Sequence, residues 1–362
     1  MTEHPGRVTF LVGAGLVSDA GLPMSVQLAE NLKKALAKAS EDHDSTEEQR
    51  ALARLHLATF YFLNGGIRFQ EGILNRDPDN AVNIEQVAVA ALELQARLKN
   101  PLAPYTSGWH QRIVELEAQH PNLLNTFIDF IYSQLKAWLT FKSVEKIAYL
   151  ARLADFCNSG VGVDIFSLNY DLCIETALRE IAQKRFVNGF TEDGWRLEAL
   201  QEEGAIRLFK LHGSLDWAED EAYGICSFDF PRHKDAEDVE GQHRPLLIFG
   251  TSHKLSAREP FLSLAYHFSQ CVLKTAVLVI VGYSFGDAYI NEIIEQGVRR
   301  NAKLKIVIAS PDAEERIARN PLLNQKARVK PIRKRAREAL DDSSLLTRVR
   351  ELLKESSSEE PF

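Results

Sequence analysis

Three polar side chains that could bind a ligand or move a proton follow segments whose composition predicts β-strands. Asn169 and Asp171 come directly after the apolar run 161–168, and His212 follows Ile206–Leu211. Because parallel strands end at one edge of a sheet, we expect the three side chains to face one crevice. Histidine is the usual proton acceptor when a hydroxyl or a water must be activated near neutral pH. The spacing therefore predicts a site for acid–base chemistry on a polar ligand.

Two glycine-containing turns follow two further predicted strands. Gly13-Ala14-Gly15 follows Arg7–Val12 and opens a predicted helix over Ser18–Leu36, which Gly21-Leu22-Pro23 interrupts early. Gly282-Tyr283-Ser284 follows Val277–Val281. A glycine turn at a helix start presents backbone amides and the positive end of the helix dipole to a phosphate. The pattern therefore favours a phosphate-bearing ligand such as a dinucleotide. It is only a partial G-x-G fingerprint, without the acidic residue that dehydrogenases place about 20 residues further on, which disfavours dehydrogenase-type binding.

Each of these patches also has a purely structural alternative. Asn169 or Asp171 would cap the helix predicted over Cys173–Ala182. His212 would be a core histidine bonded to the backbone, and Ser284 would cap the helix that follows it. Four polar strand ends in one sheet favour a shared ligand site over four separate caps.

The elements that would position these residues predict an α/β fold. Short, apolar and largely β-branched strands are predicted at Arg7–Val12, 161–168, Ile206–Leu211, Pro245–Phe249, Val277–Val281 and Lys305–Ala309. Helices are predicted between several of them, at Cys173–Ala182, Pro260–Leu273 and Ile290–Arg299. Near-continuous apolar strands that alternate with helices indicate a Rossmann-like, mostly parallel sheet with helices on both faces.

A long helical stretch interrupts this alternation. Apolar residues recur at three- and four-residue spacing in Ala51–Leu63, Ile84–Leu98, Trp109–Glu117 and Leu123–Leu139. Breaks are predicted at Asn64-Gly65-Gly66, Arg76-Asp77-Pro78 and Asn100-Pro101. We interpret residues 28–153 as an inserted all-helical module, and residues 1–27 with 154–345 as the Rossmann-like domain. Residues 346–362 are predicted to be a helix end and a Ser- and Glu-rich disordered tail from Glu355.

Composition argues against several classes of protein. The formal net charge of -7 disfavours direct binding of nucleic acid, and we interpret the basic stretch from Lys326 to Arg337 as a solvated helix face. Four widely spaced cysteines indicate neither a disulfide framework nor a zinc site. The apolar run Ala276–Val281 is far shorter than the roughly 20 residues of a membrane-spanning helix, and the N-terminus lacks a signal-peptide pattern. We therefore expect a cytoplasmic protein without a membrane partner.

Taken together, the motifs resemble those of the sirtuins. The run 13–23, GAGLVSDAGLP, is similar to their GAG…S…GIP segment and contains Ser18 and Pro23. Asn169-Tyr170-Asp171 resembles their Asn-x-Asp motif, the run 210–214 their catalytic His-Gly, and Gly282-Tyr283-Ser284 their Gly-x-Ser. The segments LHGSLDW and VGYSFGD are most similar to those of the sirtuin-like domains of bacterial anti-phage defence proteins, which cleave NAD+. The resemblance covers about Arg7–Pro23 and Gly162–Pro311 and none of the helical insertion.

The resemblance implies a substrate and a role for each motif. NAD+ would be cleaved to nicotinamide and ADP-ribose, and no cofactor would be needed beyond NAD+ itself. Asp171 would hold the nicotinamide carboxamide, Asn169 the ribose hydroxyls and the attacking water, and His212 would accept a proton. The residues implied to bind the dinucleotide are Gly13, Ala14, Gly15, Ser18, Pro23, Gly282, Tyr283 and Ser284.

Departures from the sirtuin deacylases bear on the activity. Met24-Ser25-Val26 stands where deacylases have Asp-Phe-Arg, and only Cys226 and Cys271 lie where they carry a four-cysteine zinc ribbon. We therefore expect no zinc. These differences favour an NAD+ hydrolase, the effector of a prokaryotic antiviral (abortive infection) system. Two alternatives are an NAD-dependent protein deacylase or ADP-ribosyltransferase, and a non-catalytic sensor that binds NAD or ADP-ribose.

Control of such an effector has to come from outside the catalytic site, since no sensor domain is evident in the sequence. The resemblance implies a homo-oligomer, or a separately encoded partner of the HerA-type ATPase or Argonaute-like class. The helical insertion is the expected surface for such contacts, and the alternative is that it only covers the pocket.

Overall fold

The computed structural model describes residues 8–74, 76–77, 81–98, 109–157, 162–201, 205–228, 244–249, 259–320, 323 and 328–358. The chain divides into two compact units. Met1–Leu22 and Leu139–Phe362 form one, here called the sheet unit, and Pro23–Trp138 form the other, here called the helical unit.

The helical unit contains helices α1 Ser25–Glu41, α2 Glu47–Ile73, α3 Ile84–Leu98, α4 Trp109–Gln119 and α5 Leu123–Trp138. A capping box starts α2, in which the Thr46 hydroxyl accepts from the Gln49 amide and the Gln49 side chain accepts from the Thr46 amide. The break predicted at Asn64-Gly65-Gly66 is wrong, because α2 runs on through it to Ile73. A helical glycine costs only about 1 kcal/mol, and the apolar pattern of Ala53, Phe60 and Leu63 anchors the helix.

The main sheet of the sheet unit has seven strands, and its observed pairings are all parallel. They are β1 Val8–Val12, β2 Val163–Ser167, β3 Phe186–Val187, β6 Ile206–Lys210, β9 Val277–Val281, β10 Lys305–Ala309 and β11 Val329–Ile332, in the order β11-β10-β9-β1-β2-β6-β3. Two antiparallel hairpins complete the strands, β4 Phe190–Thr191 with β5 Gly194–Trp195, and β7 Trp217–Asp220 with β8 Gly224–Ser227. The predicted parallel α/β sheet is confirmed.

Helices cover both faces of this sheet. Those of the sheet unit are α6 Cys173–Thr176, α7 Phe261–Lys274, α8 Ala288–Arg300, α9 Ala313–Arg319, α10 Ala336–Asp341 and α11 Ser344–Ser358. On one face Phe268 of α7 packs at 4.9 Å on Phe166 of β2. On the other, Phe156 meets Phe10 of β1 edge-on at 4.9 Å. Successive side chains of a strand are therefore buried on opposite faces of the sheet, as expected for near-continuous apolar strands.

The boundary between the units differs from the predicted one at residue 153. Val144–Phe156 forms a 3₁₀ segment that belongs to the sheet unit, because its buried Ile147, Leu150 and Leu153 pack with neighbours there that include Ala177–Ile181 and α10. Ile147, Leu150 and Leu153 recur every third residue, which is the period of a 3₁₀ helix and not that of the α-helices predicted for the insertion.

Two further predictions are corrected by the sheet unit. The basic stretch is not a helix face, because its centre is strand β11, which pairs with β10 from Ile306 to Ala309. Its cations are engaged locally: Arg328 donates to the carbonyls of Leu304 and Val298, and Arg333 lies 3.3 Å from Glu314. Pro245–Phe249 is not a strand and makes one isolated bridge, between Leu247 and Gly213.

The two ends of the described chain also refine the predictions. The interruption predicted at Gly21-Leu22-Pro23 is confirmed: 3₁₀ turns at Ala14–Leu16 and Ser18–Ala20 precede Gly21, which has a φ of 87°, and α1 begins at Ser25. The predicted disordered tail begins within α11, which continues to Ser358, and residues 359–362 lie outside the described ranges. Within those ranges, no helix combines the length and apolarity needed to cross a bilayer.

Candidate functional site

The four patches singled out by sequence come together at one edge of the sheet. Val12 pairs with both Ser167 and Val281, and Ser167 pairs with Lys210, so β9, β1, β2 and β6 end level. The ladder continues one residue past the strands, where the Leu168 amide donates to the Val12 carbonyl at 2.9 Å. The residues that follow these strands therefore start from adjacent positions along that edge.

A side-chain bond joins two of the patches directly. Asn169 is buried, and its Nδ2 donates to the Gly13 carbonyl at 3.1 Å. Its backbone amide donates to the Ser167 hydroxyl, also at 3.1 Å. These two bonds fix the side chain of Asn169 against the glycine turn, which is the adjacency that the sequence predicted.

The glycine turns lie where the strand order reverses. From β1 the chain leads to β2 and β6 on one side, whereas β9, the other neighbour of β1, leads outward to β10 and β11. Open α/β sheets bind their ligands in the crevice at this switch point. The backbones of the two turns touch there: a Cβ on Gly15 would lie 2.7 Å from Gly282 Cα, and one on Gly13 would lie 2.8 Å from the Gly282 carbonyl oxygen.

The close approach of these turns uses backbone amides that were expected to face a phosphate. The Gly13 amide donates to the Val281 carbonyl at 3.0 Å, and the Gly15 amide donates to the Gly282 carbonyl at 2.9 Å. Gly282 itself has a φ of 64°, a left-handed conformation that favours glycine. The glycines at 13, 15 and 282 are therefore required by the contact between the turns, whatever ligand lies above them.

The remaining predicted dinucleotide contacts fall in different settings. The Ser18 hydroxyl donates to the Gly15 carbonyl at 2.9 Å and closes the turn that starts at Ala14. Ser284 is exposed and does not cap the following helix. Pro23 belongs to the helical unit.

Tyr283 is buried, and its hydroxyl organises the loop before α8. It accepts from the Asp287 amide at 3.1 Å and donates to Asn291 Oδ1 at 3.0 Å. Asn291 in turn donates from Nδ2 to the Phe285 carbonyl at 2.8 Å. The side chain of Tyr283 therefore holds the loop in place, and its carbonyl accepts from Arg316 at 3.3 Å.

Asp171 makes the bond that the capping alternative requires. It is buried, and its Oδ1 accepts from the Cys173 amide at 3.0 Å, at the first residue of α6. Its carbonyl accepts from the Lys210 ammonium, which also lies 3.0 Å from Glu175 Oε1. Burial raises the pKa of Glu175 to about 7 in spite of the adjacent Lys210. This buried ion pair stabilises the loop that carries Asn169 and Asp171.

His212 is paired with a carboxylate that sequence reasoning missed. Its Nε2 lies 3.2 Å from Asp287 Oδ2, and both residues are only 5% exposed. Asp287 is the N-cap of α8, where it accepts from the amides of Tyr289 and Ile290. An acidic residue at the predicted start of a helix, just after a glycine turn at a strand end, was the available signal.

The other ring nitrogen of His212 has no such neighbour. Nδ1 is buried, and it makes no hydrogen bond within the described part of the chain. A buried polar atom without a partner is uncommon and marks a site where a water or ligand is expected. An Asp-bound imidazole with one nitrogen unengaged, beside the edge that carries Asn169, is suited to proton transfer.

A glycine is needed at position 213 because of its own backbone conformation and the close approach of another segment of backbone. Its φ is 86°, and a Cβ there would lie 1.9 Å from the Leu246 carbonyl oxygen. The Ile248 amide also donates to the His212 carbonyl at 2.9 Å. The segment 246–248 therefore packs directly on the backbone of His212 and Gly213, and only a glycine at position 213 permits this approach.

Comparison with known proteins supports a sirtuin-like domain in this part of the chain. Residues 163–332 match the family model described as a SIR2-like domain, a class of NAD-utilising enzymes. The match runs from the first residue of β2 to the last of β11 and includes Asn169, His212 and Asp287. A search of curated proteins found no match.

Among solved structures, several sirtuin homologues align along most of the chain at low similarity. A Sir2 homologue in complex with NAD is 16% identical, with a TM-score of 0.43, and the alignment covers 96% of this chain and 90% of that one. A mutant Sir2 homologue with 2'-O-acetyl ADP ribose is 15% identical, with a TM-score of 0.43 and coverage of 96% and 93%. Sir2Tm bound to a propionylated peptide is 10% identical, with a TM-score of 0.43 and coverage of 95% and 94%. Similarity at this level does not bear on activity.

Proposed function

We propose that this protein is an NAD+ hydrolase that cleaves the bond between nicotinamide and ribose. The observation that carries the proposal is the carboxylate-paired His212 at the same sheet edge as Asn169, within a segment that matches a SIR2-like domain. A histidine paired in this way supplies a base. The adjacent switch point supplies the place where α/β sheets bind nucleotides.

The reaction needs few groups from the protein. The C–N bond breaks with its electron pair going to the nicotinamide nitrogen, and the ribose passes through an oxocarbenium-like state. Water then forms the new bond to the anomeric carbon, and its proton goes to His212. NAD+ and water thus give nicotinamide, ADP-ribose and a proton. Asn169 orients the ribose hydroxyls and the water, and Asp171 holds the nicotinamide carboxamide.

The binding groups follow the geometry of the turns. Because the amides of Gly13 and Gly15 are bonded to β9 and its turn, the dinucleotide phosphates approach Ala14 and the surface of the turn instead. The exposed hydroxyl of Ser284 is available to the adenosine half. No zinc or other cofactor takes part in this scheme.

The deciding experiment is NAD+ consumption by the purified protein, with nicotinamide and ADP-ribose quantified. Asn169→Ala should lower kcat roughly 10²- to 10³-fold, the size typical of losing one positioned hydrogen-bonding group. Asn188→Ala is the matched control, because the Asn188 side chain accepts from the Phe190 amide at the start of β4, away from the candidate site residues. Full activity in Asn169→Ala would contradict the assignment.

Two further arms of the same assay separate the alternatives. An acylated peptide that is required for NAD+ loss, and is consumed with it in equal amounts, would show a deacylase. NAD+ binding without turnover by either the isolated protein or its complexes would show a sensor.

We also propose that NAD+ loss serves prokaryotic antiviral defence, with the protein acting as the effector. The support is the resemblance of LHGSLDW and VGYSFGD to defence-associated sirtuin-like domains. Self-assembly, or a separately encoded HerA-type ATPase or Argonaute-like partner, would then restrain the activity until infection. Infected bacteria that express the protein should lose NAD+ and produce fewer phage, and those that express Asn169→Ala should not.

A further inference from the structure

We propose that Asp287 is a positioning residue that fixes the tautomer of His212, so that Nδ1 is the atom that accepts the proton. This inference rests on the proposed hydrolase, because it specifies how that site moves its proton. It assigns a function to the acidic residue of the Gly282–Asp287 loop, and it names which of the two imidazole nitrogens faces the reaction.

The two carboxylate oxygens of Asp287 have separate partners. Oδ1 accepts from the amides of Tyr289 at 3.0 Å and Ile290 at 3.3 Å, which caps α8. Oδ2 lies 3.2 Å from His212 Nε2. A carboxylate that accepts two backbone N–H bonds through one oxygen is held in a fixed orientation, and its other oxygen is aimed at the imidazole.

The backbone of Asp287 is held as firmly as its side chain. Its amide donates to the Tyr283 hydroxyl at 3.1 Å, and that hydroxyl is bonded to Asn291 in the first turns of α8. His212 is held from the opposite side, where the Ile248 amide donates to its carbonyl. Both partners are buried, so water does not compete strongly for the bond between them.

The tautomer follows from the kind of partner. An ionised carboxylate only accepts hydrogen bonds, so Nε2 must carry the proton that lies between the two residues. Nδ1 is then left with its lone pair, and it is the nitrogen that has no partner in the described part of the chain. When water attacks the ribose, its proton passes to Nδ1, and the imidazolium that forms is stabilised by the Asp287 carboxylate.

Two substitutions at Asp287 separate positioning from structure. In Asp287→Asn the amide oxygen can keep the helix cap, which places the NH2 group opposite Nε2. An NH2 group donates, so Nε2 must accept and the ring proton moves to Nδ1, which removes the base. In Asp287→Ser the hydroxyl can keep the cap but does not reach His212, so both tautomers are populated.

The order of activities is the test. Asp287→Asn should lower kcat roughly 10²- to 10⁴-fold with little change in KM, and Asp287→Ser should lose less. A merely structural role predicts the opposite order, because asparagine is closer in size and shape to aspartate than serine is. Asp342→Asn is the matched control, since the Asp342 carboxylate also accepts a backbone N–H, from Ser344 at 2.9 Å.

A spectroscopic readout tests the tautomer even in protein that shows no turnover. The ¹⁵N shifts of the His212 ring, assigned by their loss in His212→Gln, should show Nε2–H in the wild-type protein and Nδ1–H in Asp287→Asn. Asp287→Ser should show a mixture, which gives a result if Asp287→Asn does not fold. Nδ1–H in the wild-type protein, or unchanged ring shifts in both variants, would overturn the proposal. Wild-type NAD+ turnover is scored separately, so failure of the hydrolase and failure of the tautomer assignment are distinguishable.

Discussion

Two buried histidines, one in each unit of the molecule, show what distinguishes a core histidine from a candidate base. His56 of α2 is 4% exposed, and its Nε2 lies 3.0 Å from the Thr126 hydroxyl. Its ring packs on Phe127 and Phe130, and burial lowers its pKa to about 4. His212 is as deeply buried but faces a carboxylate.

The difference lies in the partner and not in burial. A hydroxyl satisfies a neutral imidazole and gives no reason for it to gain a proton, whereas a carboxylate stabilises the imidazolium that forms during catalysis. Burial alone would have ranked the two histidines equally. The chemistry of the nearest polar group therefore separates a packed histidine from one suited to proton transfer.

Replacing each histidine in turn should give the largest difference, which is a difference in kcat between the two variants. His212→Gln should lower kcat for NAD+ cleavage roughly 10²- to 10⁴-fold, because glutamine hydrogen-bonds but is no base. His56→Leu should leave kcat unchanged, because its ring lies in the core of the helical unit. Initial rates at pH 7.5, with thermal unfolding recorded for each variant, make the comparison. Equal losses of kcat in the two variants would contradict the distinction between the two histidines.

Lowering the pH should destabilise the folded protein through the buried His56. In the unfolded chain His56 takes up a proton below about pH 6.5, but in the folded protein it does so only near pH 4. The unfolded state therefore binds more protons in this window, and stability falls as the pH drops from about 6.5 to 4, by at most roughly 3 kcal/mol. Urea unfolding at several pH values measures the slope, which should be smaller in His56→Leu. A slope that is the same in both proteins would mean that His56 is not the group responsible.

A pair of glycines extends the comparison to the backbone. A Cβ at Gly15 would meet the backbone of Gly282 at 2.7 Å, so Gly15→Ala should lower the free energy of unfolding by about 1–3 kcal/mol and weaken NAD+ binding. A Cβ at Gly65 meets nothing within 4 Å, and the residue lies inside α2, so Gly65→Ala should raise stability by about 0.5–1 kcal/mol. Denaturant midpoints and NAD+ titration test both. If Gly15→Ala left the free energy of unfolding unchanged, the backbones of the two turns would be able to move apart at little cost.

Sequence predicted the central strands best because their apolar character needs no partner to be recognised. Val277–Val281 and Lys305–Ala309 match the observed strands β9 and β10 residue for residue. Strand β11 was missed because Lys330 and Pro331 interrupt its apolar residues, and only its pairing with β10 makes it a strand. Pro245–Phe249 shows the reverse error, since an apolar segment without a ladder partner remains irregular.

The same distinction applies to the candidate site, where the strand pattern predicts which residues share an edge but not which hydrogen bonds they form. That Asn169, His212 and the glycine turns would share an edge followed from the rule for parallel strands, and the structure brings them there. The bond between His212 and Asp287 could not be predicted, because it joins residues from two strand ends through the conformation of one loop. The functional roles of these residues stay predictions until the variants are measured.

The position of β1 in the sheet has a consequence for how the protein is made. Strand β1 precedes both of its partners in the chain, because Val8 pairs with Val163 and Val277, so the central strand of the sheet has only remote neighbours. Contacts of such high contact order form slowly, whereas the helical unit that follows β1 in the chain is rich in local contacts. On the ribosome β1 must wait unpaired until β2 and β9 have been synthesised, which exposes an apolar edge to chaperones or to aggregation. The edge that carries Asn169, His212 and Asp287 is therefore absent from the nascent chain until synthesis has passed Asp287, so the proposed hydrolase activity cannot appear before then.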